Sequence, residues 1–79
     1  MPFEITIKIG NETYTGKGAN ALEALLSIKR PLKIMNKGIV TLKQGDKKKE
    51  LLYMPAKMKQ LFYPNAQVIQ AKNLAFLLK

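Results

Sequence analysis

Cysteine, histidine and tryptophan are all absent from this chain, and it has only five acidic residues. Without cysteine, no disulfide can reinforce a small fold and no thiol hints at a redox compartment. Without histidine, the commonest metal ligand and the usual proton shuttle of neutral pH are both missing. The five carboxylates, Glu4, Glu12, Glu23, Asp46 and Glu50, are scattered, so nothing suggests a converging oxygen-ligand site for a metal. Serine occurs once, as Ser27, with no base to activate it. The expectation is a protein with no enzymatic activity, cofactor or metal. Gly16-Lys17-Gly18 invites comparison with a phosphate-binding loop, but it lacks that motif's glycine spacing and its Lys-Ser/Thr ending. It reads instead as a turn from strand to helix.

Long apolar runs are missing too. Stretches such as Leu51-Leu52-Tyr53-Met54 fall far short of the ~20 residues needed to cross a bilayer. The Met1-Pro2-Phe3-Glu4 start has no basic residues leading into an apolar segment. The expected location is the cytoplasm, or the host cytoplasm if a virus encodes the chain, with no membrane association.

What remains is a chain of 79 residues that is 47% hydrophobic, within the range of folded proteins. That length supports one domain, residues 1–79, with a core of Ile, Leu, Val, Phe, Met and Ala. Phe3, Ile5, Ile7 and Ile9 alternate with polar residues, the period of a half-buried strand. Gly10-Asn11 suits a two-residue hairpin turn. The return strand, Glu12 to Gly16, then pairs Ile9 with Glu12, Ile7 with Tyr14 and Ile5 with Gly16. Lys8–Thr13, Thr6–Thr15 and Glu4–Lys17 fall on the other face. Gly16 leaves room beside Ile5 for a helix to approach closely.

Asn20 and Glu23 have the spacing of a helix cap, and an apolar stripe of Leu22, Leu25 and Leu26 predicts a helix over about 21–29, stopped by Pro31. A connector, 31–38, leads to a second hairpin of Ile39–Gln44 and Glu50–Met54. A four-residue loop, 45–48, sets Leu42 opposite Leu51, Val40 opposite Tyr53 and Lys43 opposite Glu50. Pro55 opens another helix over 56–63, Pro64 interrupts it, and Asn65 caps a last one. In that helix Val68, Ala71, Ala75 and Leu78 share one side, widened by Ile69, Leu74 and Leu77, while Gln67, Gln70 and Asn73 face water. Phe3, Tyr14, Phe62 and Phe76 take core-facing positions. The order is ββα–ββα with the final helix broken. This predicts an α+β fold, a two-layer antiparallel sheet with helices on one face. A grasp-like arrangement, in which a helix crosses the first hairpin, is compatible with it.

Charge is distributed unevenly. Residues 1–28 carry a net −1, residues 29–50 a net +6, and residues 51–79, which have no acid, a net +4. A face built from Lys29, Arg30, Lys33, Lys37, Lys43, Lys47, Lys48 and Lys49 favours polyanions. Lys57 and Lys59 follow, but they lie ~200° apart on a helix and form no single stripe. Thirteen of the fourteen basic residues are lysine, which suits phosphate contacts better than base-edge readout by arginine. The leading expectation is a module that binds the phosphate backbone of DNA or RNA with little sequence preference. A solvated lysine loop is the plain alternative for 47–49. Tyr53 and Tyr63 are the only candidate stacking platforms, and packing competes for both.

The second expectation is a protein–protein or assembly role, as a homo-oligomer or against an acidic protein. It would use the apolar C-terminal helices through Met58, Phe62, Tyr63 and Phe76. Small phage- or virus-encoded accessory proteins and inhibitors share this short, basic, single-domain style.

Overall fold

A computed structural model describes residues 1–31 and 33–79; Leu32, in the connector expected at 31–38, lies outside the described residues. Four strands and three helices follow in the order β1 (Phe3–Ile9), β2 (Glu12–Gly18), α1 (Ala21–Leu26), β3 (Gly38–Gln44), β4 (Lys47–Tyr53), α2 (Pro55–Gln60) and α3 (Pro64–Leu77). The strands form one sheet in the order β2-β1-β3-β4, and every neighbouring pair is antiparallel. The fold is therefore α+β, as the alternating and helical patterns imply. β2 and β3 run in the same direction on either side of β1, so the segment joining them crosses over β1. α1 within that segment packs against β2 and β1. Among the described residues, no helix is long and apolar enough to cross a membrane.

The first hairpin has the register read from its sequence, Ile9–Glu12 through Glu4–Lys17. Gly10 sits at φ 58 in the two-residue turn, where only glycine is unstrained.

The second hairpin differs from expectation. Its loop is two residues, Gly45-Asp46, so Leu42 pairs with Lys49, Val40 with Leu51 and Lys43 with Lys48. The expected and observed registers differ by two residues. A two-residue slip leaves every side chain on the same face, so hydrophobic patterning does not separate them. Turn chemistry does. Gly45, at φ 61, supplies the same Gly-X turn as Gly10.

α1 is held at both ends. The Glu23 N–H donates to Asn20 Oδ1 at 2.9 Å, and Asn20 Nδ2 donates to Glu23 Oε2 at 3.1 Å. At its end Ser27 Oγ donates to the Ala24 carbonyl at 2.8 Å and accepts from the Lys17 N–H at 3.0 Å. The lone serine thus ties helix to strand. Because Ser27 closes the helix, it stops at Leu26 instead of continuing towards Pro31. Gly16 is where the two elements meet: a methyl there would collide with the Ala24 carbonyl and the Ile28 side chain.

The helical C-terminal segment also departs from the pattern. α2 ends at Gln60, short of the expected 63. Tyr63, not Asn65, is the N-cap of α3, because Pro64 takes the first helical position with its φ already set. The buried side of α3 is Gln70, Ala71, Leu74 and Leu78, whereas Val68, Ile69, Phe76 and Leu77 are exposed. Turning back at Pro64 brings the glutamines against α2. Gln67 Nε2 donates to the Leu61 carbonyl at 3.1 Å, and Gln70 Nε2 donates to Gln60 Oε1 at 2.8 Å. Leu61's carbonyl is one of the groups a helix end leaves without a partner, which explains why a polar side chain faces inward there.

The Gln70 carboxamide oxygen is buried with no hydrogen-bond partner among the described residues. Desolvating it costs more than the single Gln60 bond returns. Gln70→Met is therefore expected to raise unfolding free energy by about 1 kcal/mol in a urea titration. A loss of stability would show that the Gln60–Gln70 bond dominates.

The core lies between helices and sheet: Phe3, Ile5, Ile7, Val40, Leu42 and Tyr53 from the strands against Leu25, Met58, Leu61, Phe62, Leu74 and Leu78. Among the described residues, the opposite sheet face carries no helix. Its residues, by register, form three cross-strand rows: Lys17-Glu4-Lys43-Lys48, Thr15-Thr6-Thr41-Glu50 and Thr13-Lys8-Ile39-Leu52.

Candidate nucleic-acid interface

All eight cations expected to form the basic face are exposed. They do not form a single surface. Lys43, Lys47, Lys48 and Lys49 cluster at the Gly45 end of the sheet. Lys37 precedes Gly38, which pairs with Ile9 at the other end. Lys33 lies there too, lining a depression with Gly10, Asn11 and Met35. Arg30 and Lys33 line a second depression with Lys59 and Tyr63. Lys29 is on the connector just after α1. From Lys37 to Lys43 is six strand residues, about 20 Å. The convergence expected from sequence thus divides into two basic regions. The cause is topological: an extended strand, β3, separates the two groups.

The Gly45 end is the denser of the two. Lys43 and Lys48 are directly opposite across β3 and β4, on the helix-free face. Like charges facing each other across a ladder are unfavourable. Lys47 and Lys49 project from the other side of the same edge strand, so the edge is cationic on both faces. Lys17 joins the row two strands away. Its Nζ lies 3.5 Å from Glu4 Oε2, the one ion pair among the described residues. Met1, Pro2, Glu4, Lys17, Lys43 and Gly45 line a shallow pocket beside this row, and Gln44 Nε2 holds the N-terminus there by donating to the Met1 carbonyl at 3.2 Å. The sequence expectation omitted Lys17. The first hairpin alone could place it beside Glu4, but only the β1–β3 pairing brings it into line with Lys43 and Lys48.

The aromatic candidates separate by burial. Tyr53 is in the core, with Lys57 Nζ 4.8 Å from its ring centroid, and burial raises its phenol pKa above the usual value. Tyr63 is partly exposed beside Arg30, Lys33 and Lys59. Tyr14 donates its hydroxyl to Glu12, and that bond raises its pKa. Of the residues expected at a partner interface, Met58 and Phe62 are buried in the protein's own core, while Tyr63 and Phe76 are exposed. Phe62 is core-facing as its position suggests, whereas Phe76 is not, because the buried side of α3 is turned towards Gln70 and Leu74.

Among the described residues, no group of three His, Cys, Asp or Glu side chains is placed to hold a metal ion. No protein-family model, no curated protein and no solved structure matches this chain.

Proposed function

We propose that this protein binds the phosphate backbone of nucleic acid, with little sequence preference, through Lys43, Lys47, Lys48 and Lys49. The observation that carries this reading is the like-charged pair Lys43–Lys48 on the open sheet face, with Lys47 and Lys49 emerging from the reverse side of the same strand. A phosphate run along this edge relieves their mutual repulsion and releases condensed counterions. Lys17 extends the row and Arg30, Lys33 and Lys37 offer a second, separate contact region. Lysine at these positions suits sequence-independent contact, since an ammonium is a point charge without arginine's bidentate fork. No chemistry is assigned to the bound polymer: the Ser27 hydroxyl is committed at both its donor and acceptor sides to holding α1 on β2.

Lysines on an edge strand also keep sheets from pairing edge to edge. Charge reversal separates the two roles, because glutamates guard an edge equally well. In a mobility shift with duplex DNA and single-stranded RNA, Lys47→Glu/Lys48→Glu/Lys49→Glu is expected to abolish retardation at protein concentrations that shift all the probe with wild type. Lys33→Glu/Lys37→Glu is expected to weaken it much less. Retained binding in the triple variant refutes the proposal, and equal loss in the double variant refutes the choice of site.

A further inference from the structure

α3 is apolar on two opposite sides. One side sends Ala71, Leu74 and Leu78 into the core. On the other, Ile69 and Phe76 are seven residues apart, which places them within about 20° of each other on one stripe. Ile69 is 62% exposed and Phe76 72%. Lys72 and Asn73 flank that stripe, each by roughly 50°, on opposite sides. A helix with apolar residues facing both the core and water is one that still lacks a neighbour.

Charge indicates what the neighbour is. Within Pro64–Leu77 the only charged residue is Lys72. An acidic partner would find one cation on this face, while the lysines that would attract it lie on β3, β4 and the connector. The complementary surface is a nearly neutral apolar helix, and the α3 of a second copy is one. We infer that this chain forms a twofold dimer through the outer faces of two α3 helices, packed antiparallel about a point between Lys72 and Asn73. Ile69 then lies level with the partner's Phe76, and the symmetry repeats the contact at the other end. The helix dipoles oppose each other. The two Asn73 side chains meet on one flank, where each amide can donate to the other's carbonyl. The two Lys72 ammonium groups meet on the other flank, in solvent, where salt screens them. One helix pair is a small interface, so the association is weak and concentration-dependent.

Sedimentation equilibrium of the full chain, without nucleic acid, over about 1 μM to 1 mM tests this. The expected result is a monomer–dimer equilibrium that tightens as salt is raised, opposite in sign to polyanion binding. Ile69→Gln/Phe76→Gln is expected to weaken the dimer about a hundredfold or more. At concentrations where the wild type is monomeric it should leave the circular dichroism spectrum and thermal transition unchanged, because both side chains lie outside the core. Asn73→Cys supplies the only thiol, and on oxidation is expected to give a disulfide-linked dimer. In a parallel pair these positions would sit on opposite flanks, out of bonding reach. A wild-type chain that stays monomeric, dimerisation undiminished in the double variant, or absence of the cross-link overturns the inference.

Discussion

Gly16→Val is expected to remove most of the domain's stability, by about 3 kcal/mol or more in a denaturant titration. The Ala24 carbonyl, the Ile28 side chain and Ser27 Oγ all crowd the position a Cβ would occupy. A flexible side chain could swing away, but a backbone carbonyl cannot. It is fixed by the Asn20 cap at one end of α1 and by the Ser27–Lys17 bond at the other. Room for valine therefore comes only from lifting α1, which carries Ala21, Ala24 and Leu25 out of the core. Stabilities of roughly 0.05–0.15 kcal/mol per residue leave a chain of this size little to spare. Gly10→Ala is the matched control. That position has open space around it and only its positive φ to satisfy, so its cost should be near 1–2 kcal/mol. If the two substitutions cost the same, the close approach of α1 to β2 is not what Gly16 provides.

The second large effect concerns ionic strength. Each lysine that neutralises a phosphate on duplex DNA adds about −0.9 to the slope of log K against log salt. Four lysines at the Gly45 end predict a wild-type slope of about −3.6. Reversing Lys47, Lys48 and Lys49 should flatten it by roughly 2.7 and lower affinity at low salt by about a hundredfold or more. Fluorescence anisotropy on labelled duplex at several salt concentrations gives both quantities. A slope unchanged by the triple substitution would place the phosphate contacts elsewhere on the molecule. Reversal of a solvated edge leaves the core untouched, so melting curves should distinguish lost binding from lost folding.

Much of this architecture is legible where local chemistry and burial agree. Phe3, Ile5, Ile7 and Ile9 alternate, Gly10 turns the chain, and the pairing of β1 with β2 follows down to Glu4–Lys17. Asn20 and Glu23 announce the start of α1, and Gly16 announces its approach. The second hairpin is harder, because its two candidate registers bury the same residues. The Gly45 turn decides it, at the price of a Leu42–Lys49 pair that the edge position of Lys49 makes harmless. α3 is harder still. Its apolar residues surround it, so periodicity alone could not show that Gln67 and Gln70 turn inward to satisfy α2. The grouping of the cations is half visible. The lysines of 43–49 lie in one hairpin and stay together, but Lys37 and Lys43 are divided by the length of β3, a separation that charge counting along the chain does not register.

The crossover between β2 and β3 also bears on the nascent chain. β1 is synthesised first yet ends up in the middle of the sheet, flanked by a strand made at once and another made some thirty residues later. As the polypeptide emerges, the first hairpin can close immediately, but the far side of β1 stays unzipped until Gln44 has cleared the exit tunnel. For that interval the isoleucines of β1 are a sticky ribbon. Its two charges give no protection, because antiparallel pairing of two such strands about Thr6 sets Glu4 of one chain opposite Lys8 of the other, so on a polysome it is the arrival of β3 that ends the hazard.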